Sequence, residues 1–335
     1  MKKEPLIAIA GATGLVGSEM LSVLGQLKLP YSEIRLLASE NSAGEVYAFQ
    51  DNELVVETLD ENSFQGVDIA LFATSSALSE KFVPIAAECG AVSIDNSSHF
   101  RMKEGIPLIV PEVNAHILSA KDRIIANPNC STIQLVPVLD IIEKHAGIKR
   151  VVVSTYQSVS GAGKDALDEL WGQSLAIFNQ KEIPQEAFQH QIAFNCIPQI
   201  DVILENGYTK EEFKIINESR KILNLPDLKI TATSVRVPVF HSHAESVNVE
   251  TNKHLSTEEL VDLLQTAAGI SVYPNHSEYP MQIGTAGTDE IHVGRVRRDE
   301  SLENGFDLWI VADNVRKGAA LNAVQIAEYL INKFS

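Results

Sequence analysis

The chain has 335 residues, 45% of them apolar and 21% charged, an ordinary globular composition and enough length for two domains. Its formal net charge of −17 argues against the basic face of a nucleic-acid binder, so an anionic substrate has to be met by locally placed Arg and Lys. The three cysteines, Cys89, Cys130 and Cys196, have neither disulfide nor metal-ligand spacing, the first apolar run is too short for a signal peptide, and no run reaches the roughly 18 residues of a membrane span; a cytoplasmic protein without metal is expected.

The first 100 residues alternate between two periods. Leu6–Ala10 reads as a buried strand, Leu15–Leu27 as a helix and Ile34–Ala38 as a strand. A buried strand at Val67–Phe72, a helix at Leu78–Cys89 and a strand at Gly90–Asp95 follow. Repeated βα units imply an α/β fold with a parallel, Rossmann-like doubly wound sheet. Beyond Cys130 the pattern changes. Arg150–Gln157 is a strong strand, a helix is expected near 162–178, and an irregular stretch precedes a helix at Thr209–Leu223. Strands at Lys229–Arg236, Ser246–Glu250, Ile291–Arg297 and Leu308–Ala312 then predict an α+β domain on an open, mostly antiparallel sheet. A helix over Arg316–Phe334 ends the chain.

Gly11-Ala12-Thr13-Gly14-Leu15-Val16-Gly17 lies between the first strand and the first helix. Glycines there let a backbone approach a pyrophosphate, which sits on the helix N-terminus. The same turn also serves close strand–helix packing alone. The second strand should end near the adenine ribose, at Ser39-Glu40-Asn41-Ser42-Ala43-Gly44-Glu45. That loop has no Arg or Lys. Ser39 and Ser42 can donate to a 2′-phosphate, whereas Glu40 and Glu45 repel one or accept from a free 2′-hydroxyl.

Asn127-Pro128-Asn129-Cys130-Ser131-Thr132 places a cysteine where a tight turn enters a helix. Unpaired N–H groups and the helix dipole favour a thiolate there. Read on this stretch alone, Cys130 is equally well a buried structural cysteine. Four more segments carry reactive or anion-binding side chains: Asn96–Met102, with Arg101; Tyr156–Gly163, with Gln157; Glu211-Glu212-Phe213-Lys214; and Arg236–His243. Each has a plainer reading as a wet helical face, a surface arginine or a satisfied structural histidine.

Together these segments resemble the aspartate-β-semialdehyde dehydrogenase family. The matching pieces are Gly11–Gly17, Ser97-Ser98-x-x-Arg101-Met102, Asn127-Pro128-Asn129-Cys130, Gln157 with its glycine loop, Glu211-x-x-Lys214, Arg236-x6-His243 and Asp313–Ala320, in family order over nearly the whole chain. The resemblance implies reversible NADP-dependent conversion of L-4-aspartyl phosphate to L-aspartate 4-semialdehyde and phosphate, feeding lysine, threonine and methionine synthesis. It implies Cys130 as nucleophile through a thioester, His243 as general acid/base and Gln157 as the residue that orients the intermediate. Arg236 would bind the substrate carboxylate and Glu211 its ammonium. Lys214 and Arg101 would bind phosphate, with Asn129 also at the substrate. Cofactor contacts would come from Gly11, Thr13, Gly14, Leu15, Val16, Gly17, Ser39, Ser42, Ser160, Gly161, Asn314 and Lys317. His241 matches nothing catalytic and is read as structural.

Family members that use NADP commonly carry a basic residue near Asn41, so NAD stays open as cofactor. The expected domains are 1–128 for the dinucleotide, 129–314 for catalysis and homodimer formation, and 315–335 as a helix returning to the first. N-acetyl-glutamyl-phosphate reductase is the nearest rival, but an acetylated amine has no charge for Glu211 to meet. A non-catalytic dinucleotide-binding paralogue would be expected to lack Cys130 or His243, and both are present.

Overall fold

In the computed structural model, which describes residues 1–335, the chain divides into two units, Met1–Asn129 with Ala319–Ser335 and Cys130–Gly318. In chain order the first unit holds β1 (Leu6–Ala10), α1 (Leu15–Leu27), β2 (Glu33–Ala38), β3 (Val46–Phe49), β4 (Asn52–Thr58), β5 (Ile69–Phe72), α2 (Ser76–Glu88), β6 (Val92–Asp95), α3 (Pro111–Asn114) and β7 (Ile124–Ala126). The second holds α4 (Cys130–Ala146), β8 (Ile148–Gln157), α5 (Lys164–Phe178), α6 (Lys210–Ile222), β9 (Lys229–Arg236), β10 (His243–Thr251), α7 (Thr257–Gln265), β11 (Ile270–Val272), α8 (Gln282–Thr285), β12 (Ile291–Arg298) and β13 (Gly305–Ala312). The closing helix α9 (Asn322–Phe334) belongs to the first unit.

The first sheet has the order β3-β4-β2-β1-β5-β6-β7 and is parallel except for the β3–β4 hairpin at its edge. Its central strands carry Ile7, Ile9, Ile69, Leu71 and Ile94 at zero exposure. Each such burial contributes roughly 1.5–3 kcal/mol, and a strand apolar on both faces fits only a sheet covered on both sides. Strand order reverses between β1 and β5, so their C-terminal ends form the switch point where doubly wound sheets bind ligands. The Gly11–Gly17 turn leaves β1 at that end.

The second sheet runs β11-β12-β13-β10-β8-β9. It is mostly antiparallel, as expected, through β12–β13, β13–β10 and β10–β8, and mixed at its ends, where β8–β9 and β11–β12 pair parallel. One face carries Val151, Val153, Val247 and Val249 into a core with Leu135, Ile215 and Leu260 of α4, α6 and α7. Reciprocal capping boxes, Thr209 with Glu212 and Ser256 with Glu259, start α6 and α7. The opposite face is more open: Tyr156 and Ser246 are exposed, and a cavity of about 510 Å³ there is lined by residues that include Tyr279, Met281, Arg297 and Trp309. The chain's last helical stretch begins as a π-helix over Arg316–Leu321 before α9. No helix is long and apolar enough to cross a membrane.

Candidate active site

Strand register assembles the second unit's site. Gln157 ends β8 and pairs with Arg236, the last residue of β9, on one side and with His243, the first residue of β10, on the other. Residues directly opposite on paired strands face the same way, so Arg236, Gln157 and His243 form one row on the helix-covered face. Gln157 Nε2 donates to Ser131 Oγ at 2.7 Å and to Glu211 Oε1 at 3.0 Å, tying the row to the first turns of α4 and α6. Cys130, half-buried, is the first residue of α4. Burial lowers the Arg236 pKa, and the nearby Glu211 and then Cys130 counter only part of that cost. Gly318 packs over Cys130: a Cβ there would fall 2.9 Å from the cysteine Cβ.

His243 is wholly buried, and burial first, then the Arg236 charge, push its pKa down to about 3. The ring is therefore neutral. The backbone N–H of Ser158 donates to Nδ1 at 3.1 Å, and a backbone N–H has no other role to play, so the ring proton is on Nε2. Gly161 lies against that nitrogen; a Cβ would meet His243 Nε2 at 3.2 Å and Arg236 Nη1 at 3.0 Å. Arg236 Nη1 also donates to the Ser158 carbonyl at 2.6 Å. Asn314 Oδ1 accepts from the Ser158 and Ser160 hydroxyls and from Ser242 N–H, fixing this loop. Lys317 is fully buried rather than presented at the surface.

Lys214 Nζ stands 3.0 Å from both Glu211 Oε2 and Asp201 Oδ2. Burial works against its charge, but the two carboxylates outweigh burial and hold its pKa above the ordinary lysine value. Two residues beyond His243 on the same face, Glu245 is wholly buried, and burial raises its pKa well above the carboxylate range. Gln134 and Ser131 of α4 approach that carboxyl, yet no full hydrogen bond closes on either of its oxygens. With no full hydrogen bond to support an ionised form, the carboxyl is held as a neutral acid. His241 is exposed, not a core histidine.

The first unit carries the remaining candidates. Gly14 caps α1 without a side-chain bond, so first-turn N–H groups remain for an anion. Gly17 packs so closely that a Cβ would lie 2.1 Å from the Gly11 carbonyl oxygen. The turn thus fits a dinucleotide pyrophosphate, with Thr13, Leu15 and Val16 within it. Thr13 Oγ1 and Ser42 Oγ are 3.4 Å apart, Ser39 caps the short turn Glu40–Ser42, and Glu40, Asn41 and Glu45 are exposed. Arg101 is buried, with Nε and Nη2 each 2.9 Å from the carbonyls of Asn127 and Asn96. Asp95 fastens the Ser97 loop by accepting from Ser79 and from both Ser97 donors. Asn129 is buried as well, and Asn127 bonds to Asn322 of α9.

Sequence reading passed over Ser131, Ser158, Asp201 and Glu245. Glu245 had a signal, a carboxylate at an inward position of the His243–Glu245–Val247–Val249 alternation. Asp201 had none, since its segment has no period.

Two family models match, described as semialdehyde dehydrogenase, NAD binding domain, over residues 6–120 and semialdehyde dehydrogenase, dimerisation domain, over 137–317. The aspartate-semialdehyde dehydrogenase of Aquifex aeolicus is 51% identical over 98% of each chain, and aspartate-semialdehyde dehydrogenase 2 of Vibrio cholerae is 49% identical over 100% of each. A crystal structure of the Vibrio cholerae aspartate semialdehyde dehydrogenase II complexed with ASA superposes with a TM-score of 0.96, at 48% identity and 100% coverage of both.

Proposed function

The chain belongs to the aspartate-semialdehyde dehydrogenase family, and we propose how its own residues divide the work of that enzyme's reaction. The enzyme interconverts L-4-aspartyl phosphate and L-aspartate 4-semialdehyde with a nicotinamide dinucleotide, in amino-acid biosynthesis. The observation that carries the residue roles is the Arg236–Gln157–His243 row, hydrogen-bonded to the helix turns that bear Cys130 and Glu211.

The Cys130 thiolate attacks the acyl carbon; the C–S bond forms as the C–O bond to phosphate breaks, leaving a thioester. When bound, the nicotinamide supplies the hydride. His243 donates an Nε2–H hydrogen bond to the substrate oxygen as negative charge develops there, keeping its proton, and collapse of that oxyanion returns the thiolate and frees the aldehyde. Arg236 matches the substrate carboxylate with a planar pair of donors. Glu211, an anionic acceptor, suits a charged ammonium rather than an acetamide. Lys214 binds phosphate, and Arg101 is proposed for phosphate too. Asn129 is proposed at the substrate. Ser160, Gly161, Asn314 and Lys317 are proposed to serve the cofactor end, Asn314 by holding the Ser158–Ser160 loop.

The dinucleotide is proposed to be NADP, held through Gly11–Gly17, Ser39 and Ser42, with only a small margin over NAD. The enzyme is proposed to work as a homodimer joined through the second unit's open sheet face, which carries exposed Tyr156 and the Trp309 cavity. Reaction of L-aspartate 4-semialdehyde with phosphate and each dinucleotide, followed by nicotinamide absorbance, tests this reading. Reduction that proceeds equally well without phosphate would overturn it.

A further inference from the structure

A lysine ammonium has three N–H donors and sits on a flexible stem, so its partners decide where it stays. Lys214 has two carboxylate partners. Glu211 lies one helical turn before it, and Asp201 comes from the irregular segment ahead of α6, each 3.0 Å from Nζ. Asp201 is itself fixed. Its backbone is left-handed, at φ 66°, a region Asp and Asn enter more readily than other side chains. Its Oδ1 accepts the Val202 N–H at 2.8 Å, which leaves Oδ2 for the lysine.

The two carboxylates differ in their other duties. Glu211, with a side chain 6% accessible, also takes the amide of Gln157 and faces Arg236. Asp201, 30% accessible, has only the more distant Lys210 as a second cation. Although burial opposes both charges, the Val202 N–H and then Lys214 hold Asp201 below the usual carboxylate range, and Glu211 and Asp201 hold Lys214 above the usual lysine range.

We propose that Asp201 is a positioning residue for phosphate: with Glu211 it takes two of the three donors of Lys214, keeps the ammonium at one place, and leaves the third donor to the anion. The proposal rests on the phosphate role given to Lys214 above. It also explains why one lysine needs two carboxylates beside an anion site. Once the substrate ammonium draws on Glu211, Asp201 still anchors Lys214.

Steady-state kinetics of the full-length enzyme in the phosphate-consuming direction test this, with phosphate and semialdehyde varied separately across pH. D201A should raise the KM for phosphate about tenfold, the scale of one charge-assisted bond. The semialdehyde KM should change less than about twofold, as expected when binding of one reactant alone is touched. D201N accepts the left-handed backbone and keeps an oxygen for Lys214, so it should restore most of the phosphate KM near neutral pH. In both variants the alkaline loss of kcat/KM for phosphate should begin at lower pH, because Lys214 has lost one of its two facing charges. An unchanged phosphate KM in D201A, or an alkaline limb that does not move in D201N, would overturn the proposal. K214A separates the two levels. If it raises the phosphate KM while D201A does not, the role of Asp201 fails and that of Lys214 stands. If K214A leaves the phosphate KM unchanged, both fall.

Discussion

The glycine turn of the first unit and the thiol site of the second are built in opposite ways. The turn is a contiguous stretch, Gly11–Gly17, and what it offers is backbone: uncapped N–H groups and the absence of a Cβ. The site is made of side chains, joined by hydrogen bonds between residues 54, 78 and 85 apart in sequence. A backbone site is written in consecutive letters, whereas a side-chain site is written in strand register. The first should fail when space or conformation is lost, the second when one functional group is exchanged for a near isostere.

The largest effect expected is on the second. Cys130→Ser should abolish turnover while cofactor binding and thermal stability stay near wild type, because a serine hydroxyl without a strong base is a far weaker nucleophile at neutral pH. Cys89 lies in the first unit and Cys196 is exposed in the second unit's irregular segment, so serine at either should be tolerated. Retention of more than a few per cent of turnover in the Cys130 variant would sink the thioester route. His243→Asn comes next. It should lower kcat by about 10²–10³, the range for a lost hydrogen-bond donor to a developing oxyanion. The semialdehyde KM should move far less. His241→Asn should do little, since that ring is exposed. The reverse pattern would mean that the Arg236–His243 segment presents His241, not His243, to the substrate.

How far each region could be read in advance follows from the same contrast. The Gly11–Gly17 turn, α1 at Leu15–Leu27 and β9 at Lys229–Arg236 match their sequence periods residue for residue. Cys130 at a helix start was legible because the Asn-Pro-Asn turn and the apolar run around it are both local. The β3–β4 hairpin was not: β3 has only four residues, both strands are largely exposed, and no two-residue glycine turn marks it. Strand β7 has only three residues. The short helix α7 did carry a signal, its Ser256–Glu259 capping box. Ser158 illustrates the deeper limit. Nothing in its neighbourhood says that its N–H fixes a ring 85 residues away, because that depends on how β8 and β10 pair. The pattern also gave no warning that β8 and β9 run parallel, which is why the second sheet is mixed.

Within the side-chain site, His243 and Glu245 sharpen the comparison further, because both are buried neutral and their pH dependences have opposite signs. His243 titrates near 3 in the folded chain against an ordinary 6.5, so the unfolded state binds more protons between those values. Folding stability should therefore fall as pH drops from about 6.5 toward 3, by at most about 5 kcal/mol from this residue. Glu245 is raised, so its unfolded carboxyl ionises above about 4.5 while the folded one stays protonated. Its contribution is present below that pH and is lost as pH rises. Urea unfolding at about pH 4 and pH 8 checks both. H243N should flatten the acid limb, and E245Q should gain stability at the higher pH but little at the lower. Equal gains for E245Q at both pH values would show that Glu245 is ionised in the fold.

The smallest effect belongs to the first unit and tests whether its backbone site is helped by side chains at all. The Glu40–Ser42 turn and its neighbours offer Ser39 and Ser42 to a 2′-phosphate, no cation, and the exposed carboxylates Glu40 and Glu45. Glu45 is partly engaged, accepting from the Tyr47 hydroxyl at 3.3 Å. One absent charge-assisted bond is worth about 1.5–3 kcal/mol, or roughly 10- to 150-fold in affinity, enough to cancel most of a preference for NADP. Turnover with both dinucleotides is therefore expected. Asn41→Arg should move the ratio of kcat/KM values toward NADP by about tenfold, the low end of that range for an exposed, screened charge. The same substitution should leave the semialdehyde and phosphate KM values alone. A wild-type preference for NADP above about a thousandfold would exceed what two serine hydroxyls can provide. It would place the phosphate on other residues, and the Ser39–Glu45 loop would then have no say in the choice of cofactor.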